Sequence, residues 1–183
     1  MNFLILLLIL FVIALGFAFY AYNRLTQLRN TCDTEWAQVD VNLKKRADLI
    51  PNLIEVVKGY AKHEQDTLER VSEARTRAMR SDEHRADDEK ELSRHVAEVF
   101  MLREKYPDLK ANENFLKLSS ELFSLEAEIA RRRDNYNNVA KAYNDYILKF
   151  PANVISSMIG FSLKEYFEFT GSRDVPVVEM GQG

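Results

Sequence analysis

The sequence predicts an all-α protein, an N-terminal transmembrane helix continuing into an up-and-down antiparallel four-helix bundle. Three observations carry that reading. Residues 1–23 contain no charged side chain. Between Met1 and Phe150 the only glycines are Gly16 and Gly59 and the only prolines Pro51 and Pro107, too few breakers for the many turns of a sheet protein. From Phe115 to Phe150, apolar residues recur at alternating spacings of three and four, a heptad seam.

The first element is the membrane span. From Phe3 to Tyr22 the chain reads FLILLLILFVIALGFAFYAY, and about 20 residues at ~1.5 Å each match the hydrocarbon core of a bilayer. A secretory signal needs basic residues ahead of a shorter apolar core, and neither is present. Gly16-Phe17-Ala18 offers a small-x-small cleavage site, but the expected form is an uncleaved anchor. Tyr20 and Tyr22 suit the headgroup level, and Arg24 is the first charge. Arg24, Arg29, Lys44, Lys45 and Arg46 all follow the span, and this bias puts the helical domain on the cytoplasmic side of a bacterial inner membrane, in a single-pass topology.

The expected division is an anchor over 1–23, a helical bundle over 24–169 and an extended tail over 170–183. A net charge of -3, with 25 Lys+Arg interleaved among 28 Asp+Glu, supplies no field that would recruit nucleic acid. Cys32 stands alone, so no intrachain disulfide and no cysteine-based metal site is expected.

Beyond the span, Leu25, Leu28, Cys32, Trp36, Val39, Leu43 and Ala47 fall on one helical stripe, so the first soluble helix continues the membrane helix without a break. Pro51 permits two readings. Lys44, Lys45 and Arg46 suit a helix end and Asp48 a new cap, which makes residues 47–52 a sharp corner. Alternatively the stripe runs on through Ile50, Ile54, Val57 and Ala61, and Pro51 only kinks one long helix. The corner is preferred because it yields helices of similar length.

The next helix is then expected over 51–79, with Leu53, Val57, Tyr60, Leu68, Val71 and Ala78 turned inward. A polar connection over 81–87 follows, and Asp88 with Glu91 reads as a capping box for a helix that ends at Tyr106-Pro107. After a turn over 107–111, the seam is Phe115, Leu118, Leu122, Leu125, Ile129, Arg132, Tyr136, Val139, Tyr143, Tyr146 and Phe150. A bundle core explains it better than a coiled coil with another chain. Arg132 is either a register-setting group paired with a carboxylate or a residue at a wet end. Residues 151–169 are apolar and aromatic, and must be buried against the bundle, a second subunit or the lipid surface.

No chemistry stands out. His63-Glu64 lacks the second histidine of a zinc-protease helix, His84 and His95 have no partners at ligand spacing, and no phosphate loop or nucleophile elbow occurs. No catalytic, cofactor-binding or metal residue is assigned, and no small-molecule substrate is expected.

The stretch YNRLTQLRNTCDTEWAQVDVNLKKRADLIPNLIEVVKGYAKHEQDTLERVSEAR, followed by KYPDLKANENFLKLSSEL, RRRDNYNNVAKAYNDYILKFP and GFSLKEYF, resembles the LemA family of bacterial membrane proteins. The resemblance runs from Tyr22 to about Phe169. It implies one N-terminal anchor carrying an up-and-down bundle of four helices, with no established activity. A branch resembling proteins of internal bacterial membranes implies a role in membrane organisation. Leu125-Glu126 and Cys32 depart from the family's usual residues.

Within those motifs the polar residues Arg29, Asn30, Trp36, Asp40, Arg46, Asp48, Asn52, Lys58, His63, Asn114, Arg131, Tyr136, Asn137 and Asn144 are candidates for partner contact. Their structural reading comes first: Asp40, Arg46 and Asp48 as caps and inter-helix pairs, Asn114 and Asn137 as helix-end groups. The expected function is a non-enzymatic, membrane-anchored scaffold. It binds the bilayer from Phe3 to Tyr22, forms a homo-oligomer and organises membrane or membrane-protein partners. The alternative is a monomeric adaptor for a membrane sensor kinase or protease.

Overall fold

A computed structural model describes residues 2–80 and 85–167, and among them it contains helices and no strand. In chain order these are α1 (Asn2–Tyr60), α2 (Gln65–Arg80), α3 (Arg85–Lys105), α4 (Pro107–Lys110), α5 (Glu113–Leu148) and α6 (Ala152–Ile159). The tail expected over 170–183 and most of the connection expected over 81–87 lie outside the described residues. Helix α3 already includes Asp88, which therefore sits in its first turn and not at its cap.

The preferred corner at 47–52 is not there. Helix α1 is one element of 59 residues with Pro51 inside it, roughly 90 Å long at ~1.5 Å per residue. A proline inside a helix withholds the N–H that would reach the carbonyl four residues back. Here that carbonyl belongs to Ala47, a buried residue, and Arg75 of α2 donates Nε–H to it at 2.5 Å. The tertiary structure supplies the missing donor. The chain turns instead over 61–64, where the Glu64 N–H bonds the Ala61 carbonyl. Glu64 accepts from Tyr106 Oη at 2.9 Å and from Lys105 Nζ at 2.5 Å. The expected helix over 51–79 is thus split between α1 and α2, and Tyr60 is exposed at the junction.

The bundle is uneven along its length. Four long helices share a core only at the end distal to the apolar span, where Ile50, Leu53 and Val57 of α1 meet Leu68 and Val71 of α2, Leu92, Val96 and Val99 of α3, and Phe115 and Leu122 of α5. Nearer the span, α1 and α5 pair antiparallel, with Val39 and Leu43 against Ile129, then Leu25 and Cys32 against Tyr136, Ala140, Tyr143 and Ile147. Entry to α5 is set by α4, which has Pro107 at its first position, and by Asn112, whose side chain accepts from the Phe115 N–H at 2.9 Å. The cap is Asn112; Asn114 lies exposed in the first turn.

The heptad seam is rotated from its apolar reading. Phe115, Leu122, Ile129, Tyr136 and Tyr143 are buried as expected, but the flank beside them is Ser119, Ala140 and Ile147. Leu118, Leu125, Val139 and Tyr146 are only half-buried. The small Ala140 packs with Leu25 and Cys32 of α1, where a larger side chain would hold the two helices apart. Phe150 lies beyond the end of α5 and is 82% exposed. Arg132 pairs with Glu128 of its own helix at 2.7 Å, a contact that sets no register between helices, and stands 4.0 Å from Glu35 of α1.

Arg46, 1% exposed, is buried at the span-side edge of the distal core. Its Nη1 donates to Glu126 Oε1 and to Ser93 Oγ, each at 2.7 Å, and its Nη2 donates to the buried Glu89. One guanidinium thereby joins α1, α3 and α5, an inter-helix pairing of the kind the sequence suggested for this residue.

Replacing Arg75 with Met orphans the Ala47 carbonyl and costs about 1–3 kcal/mol; in a Pro51→Ala background, where the helix N–H returns, most of that cost disappears, as a denaturation double-mutant cycle will show. Replacing Arg46 with Met strands the Glu89 carboxylate and costs about 3–5 kcal/mol. Adding Glu89→Gln recovers part of the loss in the same assay.

Candidate functional site

The densest set of inter-element side-chain hydrogen bonds lies at the membrane-proximal end. It is built from a dipeptide repeated one heptad apart on α5, Tyr136-Asn137 and Tyr143-Asn144. Because positions seven apart share a helix face, all four side chains meet the same segment, residues 161–167. Tyr143 Oη donates to the Ser162 carbonyl at 3.1 Å, and Asn144 both donates to the Lys164 carbonyl and accepts from the Lys164 N–H, each at 2.8 Å. One heptad earlier, Tyr136 Oη donates to the Glu165 carbonyl at 2.9 Å. Asn137 donates to the Phe167 carbonyl at 3.0 Å and accepts its N–H at 2.9 Å.

Each Tyr-Asn pair therefore grips residues n and n+2, and the next pair grips the chain three residues on. The spacing has a simple origin. Seven helical residues advance about 10.5 Å, and three residues of an extended chain advance about 9–10 Å. Burial along the strap follows the same period, with Phe161, Lys164 and Phe167 half-buried and the residues between them exposed.

Three side chains of the strap fill matching places. The Phe167 ring stacks on Trp36 of α1 at 4.7 Å between centroids and 11° between planes, meets Tyr136 edge-on at 5.3 Å, and lies under the Arg133 guanidinium at 5.3 Å. Phe161 meets Tyr22 edge-on at 6.4 Å. Lys164 Nζ reaches Asp33 Oδ1 at 2.7 Å. Burial raises the Tyr136 and Tyr143 phenols above the ordinary tyrosine range, so both stay protonated donors at neutral pH. It also raises the nearby Cys32 thiol, which is buried and free.

Between α5 and the strap lies α6, with only Ala152 and Ser156 fully buried. Residues 150–163 carry no charge and are flanked by Lys149 and Lys164. Phe150, Val154 and Met158, four residues apart, point outward. A hollow lined by Tyr22, Thr26, Arg29, Asn30, Asp33 and residues 159–161 marks where this segment meets α1, just below the apolar span.

Of the residues singled out by sequence, Trp36, Tyr136, Asn137 and Asn144 converge on the strap; Asn137 sits mid-helix, not at a helix end. Arg46 belongs to the distal core, Arg131 pairs with Glu128 on the surface and Arg29 lies 3.9 Å from Asp33. Asp48 is exposed mid-helix, and Asn52, Lys58, His63 and Asn114 are exposed without joining the others; Asp40 is half-buried in α1. The sequence reading missed Tyr143 as a donor, along with Arg133 and Lys164. The repeated Tyr-Asn at seven residues was the signal available. Among the described residues no three His, Cys, Asp or Glu side chains gather as metal ligands.

The clamp has a testable pH dependence. An unfolded phenol begins to ionise near 10 while Tyr136 and Tyr143 hold their protons higher, so the stability they add is complete below that pH and falls as pH rises through the folded values. Trp36, the single tryptophan, reports it: its urea midpoint should drop above pH 10, and drop less in a Tyr136→Phe, Tyr143→Phe variant.

Sequence comparison relates the chain to one family of proteins. The LemA family model matches residues 35–180. Protein LemA of Metamycoplasma hominis is 25% identical over 158 residues, 81% of this chain and 71% of that protein. Magnetosome protein MamQ 2 of Paramagnetospirillum magneticum is 33% identical over 75 residues, 41% of this chain and 28% of the relative. Magnetosome protein MamQ of Magnetospirillum gryphiswaldense is 26% identical over 83 residues, covering 45% and 30%. The chain thus spans less than a third of the magnetosome relatives it matches. With a family match over four-fifths of its length, the chain belongs to the LemA family of bacterial proteins.

Proposed function

We propose that this protein is a non-enzymatic, membrane-anchored helical scaffold that self-associates and organises membrane or membrane-protein partners, with its bundle on the cytoplasmic side of the inner membrane. The observation that carries the reading is the continuity of α1. No residue of the strongly apolar window near its N-terminus is buried, unlike the core helix of a soluble bundle, and the same helix passes without a break into the distal core. A rod of this kind transmits the position of its span to its bundle, so spans that pack side by side bring bundles into register.

The second support is the uncharged segment that contains α6. Its Phe150, Val154 and Met158 are exposed, and its end, residues 159–161, meets Tyr22 beside the end of the span. Withdrawing a large apolar side chain from water is worth about 1.5–3 kcal/mol, and headgroup-level lipid is the nearest apolar phase. The likeness to magnetosome proteins gives modest support to a membrane-organising role.

Two differently tagged full-length copies in one membrane should co-purify and cross-link; recovery of monomers alone would refute self-association. Inserting five glycines after Asn23 should broaden the particle-size distribution of the solubilised protein, whereas an unchanged particle would exclude mechanical coupling through α1. A spin label at Met158 should be more accessible to oxygen than to a water-borne nickel chelate, and one at Met79 the reverse. Equal behaviour at the two sites would rule out the lipid contact of α6.

A further inference from the structure

We propose that the Tyr-Asn face of α5 is a peptide-binding site that is filled here by residues 161–167 of its own chain and exchanges this occupant with the same segment of a neighbouring anchored copy. The inference rests on the self-association proposed above and names the contact through which it is made.

All six hydrogen bonds from the clamp go to main-chain atoms of the strap: the carbonyls of Ser162 and Glu165, and both the N–H and the carbonyl of Lys164 and Phe167. Side chains that read backbone in a three-residue register hold any extended chain that fits the groove. Selectivity then comes from three places only, an aromatic ring against Tyr22, a cation against Asp33, and an aromatic ring between Trp36 and Arg133. The ligand is defined by that pattern: aromatic, two residues, cation, two residues, aromatic. Phe161, Lys164 and Phe167 satisfy it, and every copy carries them.

Three features favour a second copy as the donor. The bonds are the same whichever chain supplies the segment, which is the condition for low-cost exchange. The link from α5 to the strap, residues 149–160, docks through only two fully buried side chains, Ala152 and Ser156, and twelve residues extended at ~3.3 Å reach about 40 Å, enough to cross to an adjacent helix pair. Finally, because α1 is a single helix from the span to the groove, every anchored copy presents its groove and its strap at one height above the bilayer. Confinement to that plane raises the effective concentration of neighbouring straps.

The test uses full-length protein co-expressed as two tagged forms. One has a broken clamp, Asn137→Ala with Asn144→Ala, and a photo-cross-linking phenylalanine analogue at position 167. The other has an intact clamp and a weakened strap, Phe167→Ala. Exchange predicts a covalent product between the two forms, at least tenfold above that obtained when both clamps are broken. A photo-probe at Leu8 in the span reports association independently. Span cross-links without the strap product would overturn the exchange while leaving self-association standing; absence of both would overturn both. Independently of how the variants fold, a labelled peptide with the sequence of residues 160–167 should bind the Phe167→Ala protein, and N-methylation at its Lys164 and Phe167 nitrogens should weaken it at least tenfold. Equal binding of the methylated peptide would show that the face does not read backbone.

Discussion

The architecture depends on one carbonyl. Pro51 leaves the Ala47 oxygen without its helical donor in a buried stretch of α1, where an unsatisfied acceptor would break or bend the element. Arg75 reaches across from α2 and supplies the N–H. That bond lets α1 continue to Tyr60, places the chain reversal at 61–64, and fixes α2 against the outer turns of α1. The distal core and the rigid connection to the membrane follow from it. A corner at Pro51 would have shortened α1 by about ten residues and separated the span from the four-helix core.

Continuity also divides the molecule by task. Distally, four helices bury a large apolar core, with Arg46 at its span-side edge. Proximally, two helices alone cannot enclose their facing surfaces, and the α1/α5 pair would leave Trp36, Tyr136 and Cys32 open on one side. The strap closes that side, by means of directional bonds to its backbone more than by area. Such a closure is specific in register and modest in buried surface, which suits a segment that is held and released better than one that is permanently packed.

How much of this was legible in the sequence follows the physics of each feature. The apolar N-terminal helix and the α1 stripe from Leu25 to Ala47 rest on composition and period, which act locally, and the fold has a continuous helix over both. The corner was misplaced because local rules see the lost N–H of Pro51 but not a donor that arrives from Arg75, 24 positions later in the chain. The seam of α5 was found with its central positions correct and its flank rotated. Apolar counting favours Leu118 and Val139, while close helix approach favours Ala140, and Glu126 on that flank is needed by Arg46. Tyr136, Asn137 and Asn144 were noticed as polar residues on an apolar helix, but their purpose lies in a backbone they meet up to 30 residues later.

A bundle built only for stability would fill the face at 137 and 144 with small or apolar residues, since each asparagine amide must be desolvated and is worth little net when paired. Two such amides, each bonded to both main-chain groups of one residue and set one heptad apart, specify a position along an extended chain. Stability alone does not require that precision of register. The proposed work of holding copies in order at a membrane does, because a backbone-reading clamp on one continuous helix fixes height, orientation and spacing together.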